Sequence, residues 1–431
     1  MIASVAALLT SLALLLAGNG LLTLLLPTRA ALGGMATGAI GLAMAGYFVG
    51  YVLGCLLTPR IVQRVGHIRS FAALAALAAA TALAYALAGD PVAWFLLRGL
   101  SGVAMAGLTM IVESWLNDRA TDETRGRIIS VYRIVDLSAV SVGQLLLSVA
   151  PVAGFELFSL SAILIVLALV PTAMSTAQAP APIQNVRIRL FYLWQVSPLG
   201  LAAALAVGVG NGAFWSLGAV FGQKTGLDTL GISLFMTAVV IGGAVMQVPV
   251  AALDRIFDRR RVLIGAALAT AIASAFASFL APISVEWAVA SGFVLGGLFL
   301  PIYGLALAHA NDRLAAGDFV VMSGGLLLTY GIGAIIGPPI ASFLMEGFGP
   351  RALFLHMSVV WLVLFLFGLW RLRARPPVAM AEQAELVPTP RGGTMMFELD
   401  PRTEDPAETV ADAPSGGEEV EEGPGPSDPA R

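Results

Sequence analysis

Four ionisable side chains stand inside long apolar runs of this sequence: Arg98, Glu113, Arg133 and Asp136. A charge near the centre of a membrane-spanning helix costs about 2.5 to 3.5 kcal/mol on insertion scales, so each such residue is a functional candidate by default. At about 1.5 Å rise per residue, Arg133 falls about 9 Å and Asp136 about 13 Å beyond the start of a helix near Arg127, and Glu113 about 6 Å from the end of the preceding one. Those depths put Glu113 and Arg133 nearly level on consecutive antiparallel helices, with Asp136 one turn deeper, so that one arginine serves two carboxylates. Three readings of the triad stay open. Glu113 or Asp136 takes up a proton as Arg133 is released, or the three form a static cluster that pins two helices, or Arg133 binds an anionic solute directly.

Arg133, Asp136, Val140 and Gln144 recur at i, i+3, i+7 and i+11, which is one helical face. A polar stripe is costly against lipid, so this one is expected to face the interior. From other apolar runs, Asn19, Asn211, Trp215, Gln247, Tyr303 and Tyr330 join Arg133, Asp136 and Gln144 as candidate lining residues. Amides and aromatics with few charges suit a small organic solute that is neutral or weakly charged. Taken singly, each also suits an interhelical hydrogen bond or a packing ring.

Other chemistries lack their groups. No segment reads G-x-x-x-x-G-K-[ST], H-E-x-x-H or G-x-S-x-G, so nucleotide drive, zinc hydrolysis and serine hydrolysis have no support. Three scattered histidines and one cysteine, Cys55, announce neither a metal site nor a disulfide framework. No cofactor, metal, nucleic-acid partner or enzymatic activity is expected.

The elements that must hold these residues follow from composition. The chain has 431 residues, 58% hydrophobic and 12% charged, with mean hydropathy +0.86. That surplus is too large for soluble cores and calls for a bilayer. Twelve windows are long and apolar enough to span one: 2–26, 38–57, 68–88, 93–112, 128–150, 155–174, 196–220, 230–252, 262–281, 288–308, 319–345 and 352–369. The first lacks a basic leader and a cleavage site, so it is expected to remain as a helix. The expected fold is therefore an all-α membrane protein of twelve transmembrane helices.

Sixteen arginines fall on the side shared by both termini, against Arg29, Lys224 and Arg351 on the other, which predicts cytoplasmic termini in a cell membrane. Residues 376–431 carry 13 acids against 3 arginines and almost no aromatics, and are expected to be a disordered acidic tail with a possible cytoplasmic partner.

An offset of 192 residues aligns Gly18-Asn19-Gly20 with Gly210-Asn211-Gly212, and an offset of 194 aligns Asn117-Asp118-Arg119 with Asn311-Asp312-Arg313. This predicts two six-helix halves, 1–177 and 194–375, joined by a cytoplasmic linker at 178–193. Parallel halves with a solute site between them are one architecture of secondary transporters.

Two sixes with a basic loop after the second helix of each resemble the major facilitator superfamily. Gln63-Arg64-Val65-Gly66-His67-Ile68-Arg69 is similar to its D-R-x-G-R-x-x signature, with Gln63 where the aspartate belongs, and 253–261 is similar to the duplicate. Arg98-Gly99 with Gly102 resembles its R-x-x-x-G segment. The resemblance implies gating or motif roles for Arg64, Gly66, Arg98, Asp254, Arg255 and Asp258. Val112-Glu113-Ser114, Arg125-Gly126-Arg127, Gly143-Gln144-Leu145-Leu146 and Leu327-Leu328-Thr329-Tyr330 are similar to the YcaD-like branch of bacterial transporters. The function expected is a secondary transporter moving a small organic solute by alternating access, coupled to protons through Glu113 or Asp136. The alternative is a solute-gated membrane sensor that signals through the acidic tail.

Overall fold

The computed structural model describes residues 2–174, 180, 190–312 and 319–374; the expected acidic tail and most of the linker lie outside them. The described residues are helical throughout, without strands. Twelve helices are long and apolar enough to cross a bilayer. They are α1 (Val5–Leu32), α2 (Thr37–Val65), α3 (His67–Leu87), α4 (Pro91–Arg119), α5 (Gly126–Ser148), α6 (Glu156–Ala173), α7 (Pro198–Lys224), α8 (Thr229–Ile256), α9 (Arg259–Leu280), α10 (Val285–Asn311), α11 (Val321–Phe348) and α12 (Ala352–Arg373). A short helix, Leu190–Val196, precedes α7 where the sequence suggests linker.

Helices start where polar caps supply the acceptors that a first turn lacks. Asp90 accepts from the backbone N–H groups of Val92 and Ala93 at 3.0 and 2.9 Å, with Pro91 opening α4. Asp228 does the same for α8 from Gly231 N at 2.8 Å. Between α2 and α3 the chain reverses on Gly66 at φ 83°, a left-handed value that glycine adopts without a Cβ penalty. Arg60 and Arg64 ride on the last turns of α2 itself, which runs past its inner Pro59, so the loop expected there is shorter than its residues suggest.

The repeat is visible in how backbones touch. A Cβ on Gly20 would strike Val140 O and one on Gly143 would strike Ala17 O; their counterparts Gly212 and Gly337 face Ala334 O and Val209 O in the same way. The α1–α5 crossing is thus repeated as α7–α11, and the α2–α4 crossing, where Gly50 meets Gly99, as α8–α10, where Gly242 meets Phe293. With no hydrophobic drive between helices in lipid, close approach through small residues is the main source of attraction.

The halves meet along α2 with α11 and α7, α5 with α8, and α1 with α7. Among the described residues, polar contacts join them at the arginine-poor end. Glu346 Oε2 accepts from Gly38 N at 2.8 Å, Ser342 Oγ donates to Gly38 O at 3.4 Å, and Lys224 Nζ donates to Thr37 Oγ1 at 2.6 Å. Nearby, Thr237 Oγ1 donates to Gln144 Oε1 at 3.3 Å.

Candidate functional site

Of the four intramembrane charges, Glu113 is fully buried, and Arg98, Arg133 and Asp136 are at most 8% exposed. Arg133 and Asp136, one turn apart on α5, form an ion pair at 3.3 Å. Glu113, on α4, accepts a 2.9 Å hydrogen bond from the Tyr132 hydroxyl. Sequence reasoning missed that tyrosine because it reads as a core ring beside the arginine. The turn of the helix instead carries it toward α4 while Arg133 follows Asp136. Tyr51 and Cys55, an i, i+4 pair on α2, lie within electrostatic reach of Glu113. The acid is therefore enclosed by α2, α4 and α5.

A second polar group lies nearer the arginine-poor end. The Arg98 guanidinium stacks on the Tyr47 ring at 5.1 Å from its centroid and lies beside the Tyr85 hydroxyl, which itself lies 3.0 Å from Ser101 Oγ. Tyr47 also reaches the Asn19 side chain and comes into electrostatic range of Tyr330 in the other half. Tyr330 packs edge-on against Tyr303 with ring centroids 5.6 Å apart. Asn19, Tyr303 and Tyr330 of the expected lining set are thus joined through Tyr47, a residue the sequence reading did not select. Its signal was available, since Tyr47 and Tyr51 stand one turn apart and six of the seven tyrosines fall in spans.

The remaining candidates have other surroundings. Gln144 is wholly buried and bridges the halves, with its Nε2 unpartnered. Asn211 is 7% exposed and its Oδ1 has no partner among the described residues. Trp215 packs edge-on to Phe214 at 5.4 Å. Gln247 is half-buried toward the arginine-rich end of α8. No group of three His, Cys, Asp or Glu able to hold a metal occurs among the described residues.

At the arginine-rich end the expected motif residues separate. Arg64 is exposed on α2. Asp254 takes Arg259 in a two-point ion pair, Nε–Oδ1 2.9 Å and Nη2–Oδ2 2.7 Å, and Arg259 also reaches Asp312 Oδ1 at 2.6 Å. These side chains are 3% exposed or less, so the network locks α8, α9 and the end of α10 together. The base that serves Asp254 is Arg259 rather than its neighbour Arg255. Asp258 caps α9, accepting from Arg260 N at 2.8 Å.

Two bundles of matched crossings with ionisable groups inside them define a multi-pass integral membrane protein of the transport class. The profile of the Major Facilitator Superfamily matches residues 8–187 and 199–398, and the chain belongs to that family. It is 26% identical over 381 residues to an uncharacterised MFS-type transporter of Enterobacter sp. (strain 638), covering 85% of this chain and 98% of that one. It is 28% identical over 362 residues to the uncharacterised MFS-type transporter YcaD of Escherichia coli O17:K52:H18, covering 82% and 92%. Among solved structures, the nucleoside transporter NupG superposes with a TM-score of 0.74 at 14% identity, over 86% of this chain and 99% of that one. A bacterial homologue of the human lysosomal transporter Spinster, inward-facing and occupied, gives 0.71 at 14% identity, over 88% and 97%. These likenesses fix the fold.

Proposed function

We propose that this protein is a secondary active transporter of the cell membrane, carrying a small organic solute by alternating access and driven by protons. The observation that carries the reading is the asymmetry between the two ends. Among the described residues, polar bonds join the halves at the arginine-poor end, at Thr37, Gly38, Lys224, Ser342 and Glu346, and Glu113, Arg133 and Asp136 lie in the arginine-rich half of the first bundle. With the termini in the cytoplasm, this is a carrier closed outside, with its ionisable groups toward the inside. Glu113 is the proton-binding group in this reading. It is fully buried, and the Tyr132 phenol that donates to its Oε1 is a neutral donor that serves the carboxylate and accepts a different arrangement once the acid is protonated.

A rocking carrier needs each half to move as a unit. The Asp254–Arg259–Asp312 network and the glycine-mediated crossings supply that rigidity within the second half. Everted membrane vesicles holding a preset pH gradient, monitored with a pH-quenched dye, test the reading against a solute panel. A solute that collapses the gradient with the wild-type protein and not with Glu113→Gln is the expected result. Tight solute binding without movement of solute or protons would instead favour a sensor, and truncation after Arg375 would then abolish its output.

A further inference from the structure

Arg98 is the one intramembrane charge the transport reading leaves unused. It is 4% exposed, and no carboxylate of the described residues lies within ion-pair distance of it. Its contacts are the face of Tyr47 and the hydroxyl of Tyr85, and its Nε has no hydrogen-bond partner. Along its own helix the acids are the capping Asp90, eight residues or about 12 Å away and engaged with the Val92 and Ala93 N–H groups, and Glu113, fifteen residues or about 22 Å away. A buried cation without a counter-ion is among the most costly arrangements a membrane helix can hold, and such residues usually mark where a ligand brings the missing charge. Planar guanidinium pairs best with a planar carboxylate, through two parallel N–H bonds, and a free Nε–H is one half of that fork.

The surroundings specify the rest of the ligand. Tyr47, unlike Arg98, is only half-buried, as are Asn19, Tyr303 and Tyr330, and together they span both halves around the arginine stack. Ring faces at these positions favour offset or edge-on contact with another ring. We propose that Arg98 is the anion subsite of this carrier and that its solute is an organic monoanion, a carboxylate on a planar aromatic body, with Tyr47 and Tyr330 against the ring and Tyr85 holding the guanidinium in place. The inference rests on the transport reading, which it deepens by naming the substrate class.

Benzoate, benzamide and benzamidine share one shape and carry negative, zero and positive charge, so they isolate the charge preference. Calorimetric titration of the purified full chain is expected to show benzoate binding at least tenfold more tightly than benzamide, and benzamidine not at all. Arg98→Gln should remove the benzoate preference, and Arg98→Lys should keep a reduced one, because the charge remains while the fork is lost. Equal binding of benzoate and benzamide, absence of benzoate binding, or an unchanged benzoate affinity in folded Arg98→Gln would each overturn the subsite. The wild-type series needs no variant, so a failure of Arg98→Gln to fold leaves the test intact. Counterflow of benzenesulfonate, which does not cross bilayers unaided, separates the two claims. Benzoate preference without counterflow overturns transport and keeps the subsite, whereas flux of neutral solutes alone overturns the subsite and keeps transport.

Discussion

The Tyr132 hydroxyl donates to Glu113 Oε1 at 2.9 Å across the interface of α4 and α5, inside the arginine-rich half of the first bundle. Tyr132→Phe removes that donor and leaves the ring. A stability loss of about 1 to 3 kcal/mol is expected from the orphaned acceptor, read as a lower melting temperature in detergent. Adding Glu113→Gln should recover part of the loss, because the amide asks less of its surroundings. An additive double mutant would show that the two side chains do not act on each other.

The ion pair on α5 makes an asymmetric prediction. Arg133→Ala leaves Asp136 buried without its cation and should cost about 3 to 5 kcal/mol, or force uptake of a proton. Asp136→Asn keeps a hydrogen-bond acceptor for the 3.3 Å contact and should cost less. Melting temperatures that rank the other way would mean that Arg133 is held by groups other than Asp136.

Much of this fold was legible in the sequence, and for definite reasons. Span count depends only on apolar length, and the repeat offset depends on residues such as Gly20 and Gly212 that must let a backbone through, so both survive the loss of most other identities. The site was legible only in part. Its charges stood out because charge is rare in lipid, and Arg133 with Asp136 followed from helical spacing. Tyr47 and Tyr132 did not stand out, since a buried tyrosine and a packing ring look alike until the partner of the hydroxyl is seen. The repeat also hid a difference between the halves. At the same offsets that match the glycines, Arg98 aligns with Gly292, Tyr47 with Val239 and Asp136 with Tyr330, so these charges deep in the spans have no charged counterpart in the second half, whose buried ion pairs lie at its arginine-rich end. Arg259, the partner of Asp254, lay in a run of three arginines among which spacing offers no choice.

The close crossing of α2 and α4 can be tested by adding one methyl group. A Cβ on Gly50 would collide with the Gly99 carbonyl, which is backbone and has no flexible end to move aside. Gly50→Ala should therefore force the helices apart and destabilise the first half by about 1 to 3 kcal/mol, with Tyr47 and Arg98 displaced as well. Gly265, where a Cβ would meet nothing within 4 Å, is the control, and Gly265→Ala should leave the melting temperature unchanged or raise it.

The bonds at the arginine-poor end should set how often the carrier opens there. Glu346 Oε2 accepts from the Gly38 N–H in the first turn of α2, where a carboxylate gains from the helix dipole as well as from the 2.8 Å bond, and Lys224 holds the same turn through Thr37. Each contact lies in a half-wet setting and is worth about 0.5 to 1.5 kcal/mol, so removing one shifts the population of the opened state by about two- to tenfold. The measurement is the rate at which a membrane-impermeant maleimide labels Ser342→Cys, a position buried between α2 and α11. In intact cells that rate should rise severalfold when Glu346→Gln is added and further when Lys224→Ala joins it. Labelling from outside would also place this end at the exterior, as the arginine bias predicts. Rates unmoved by both changes would mean that apolar packing of Phe343 and Pro338 against α2 holds the closure, with the polar contacts following it.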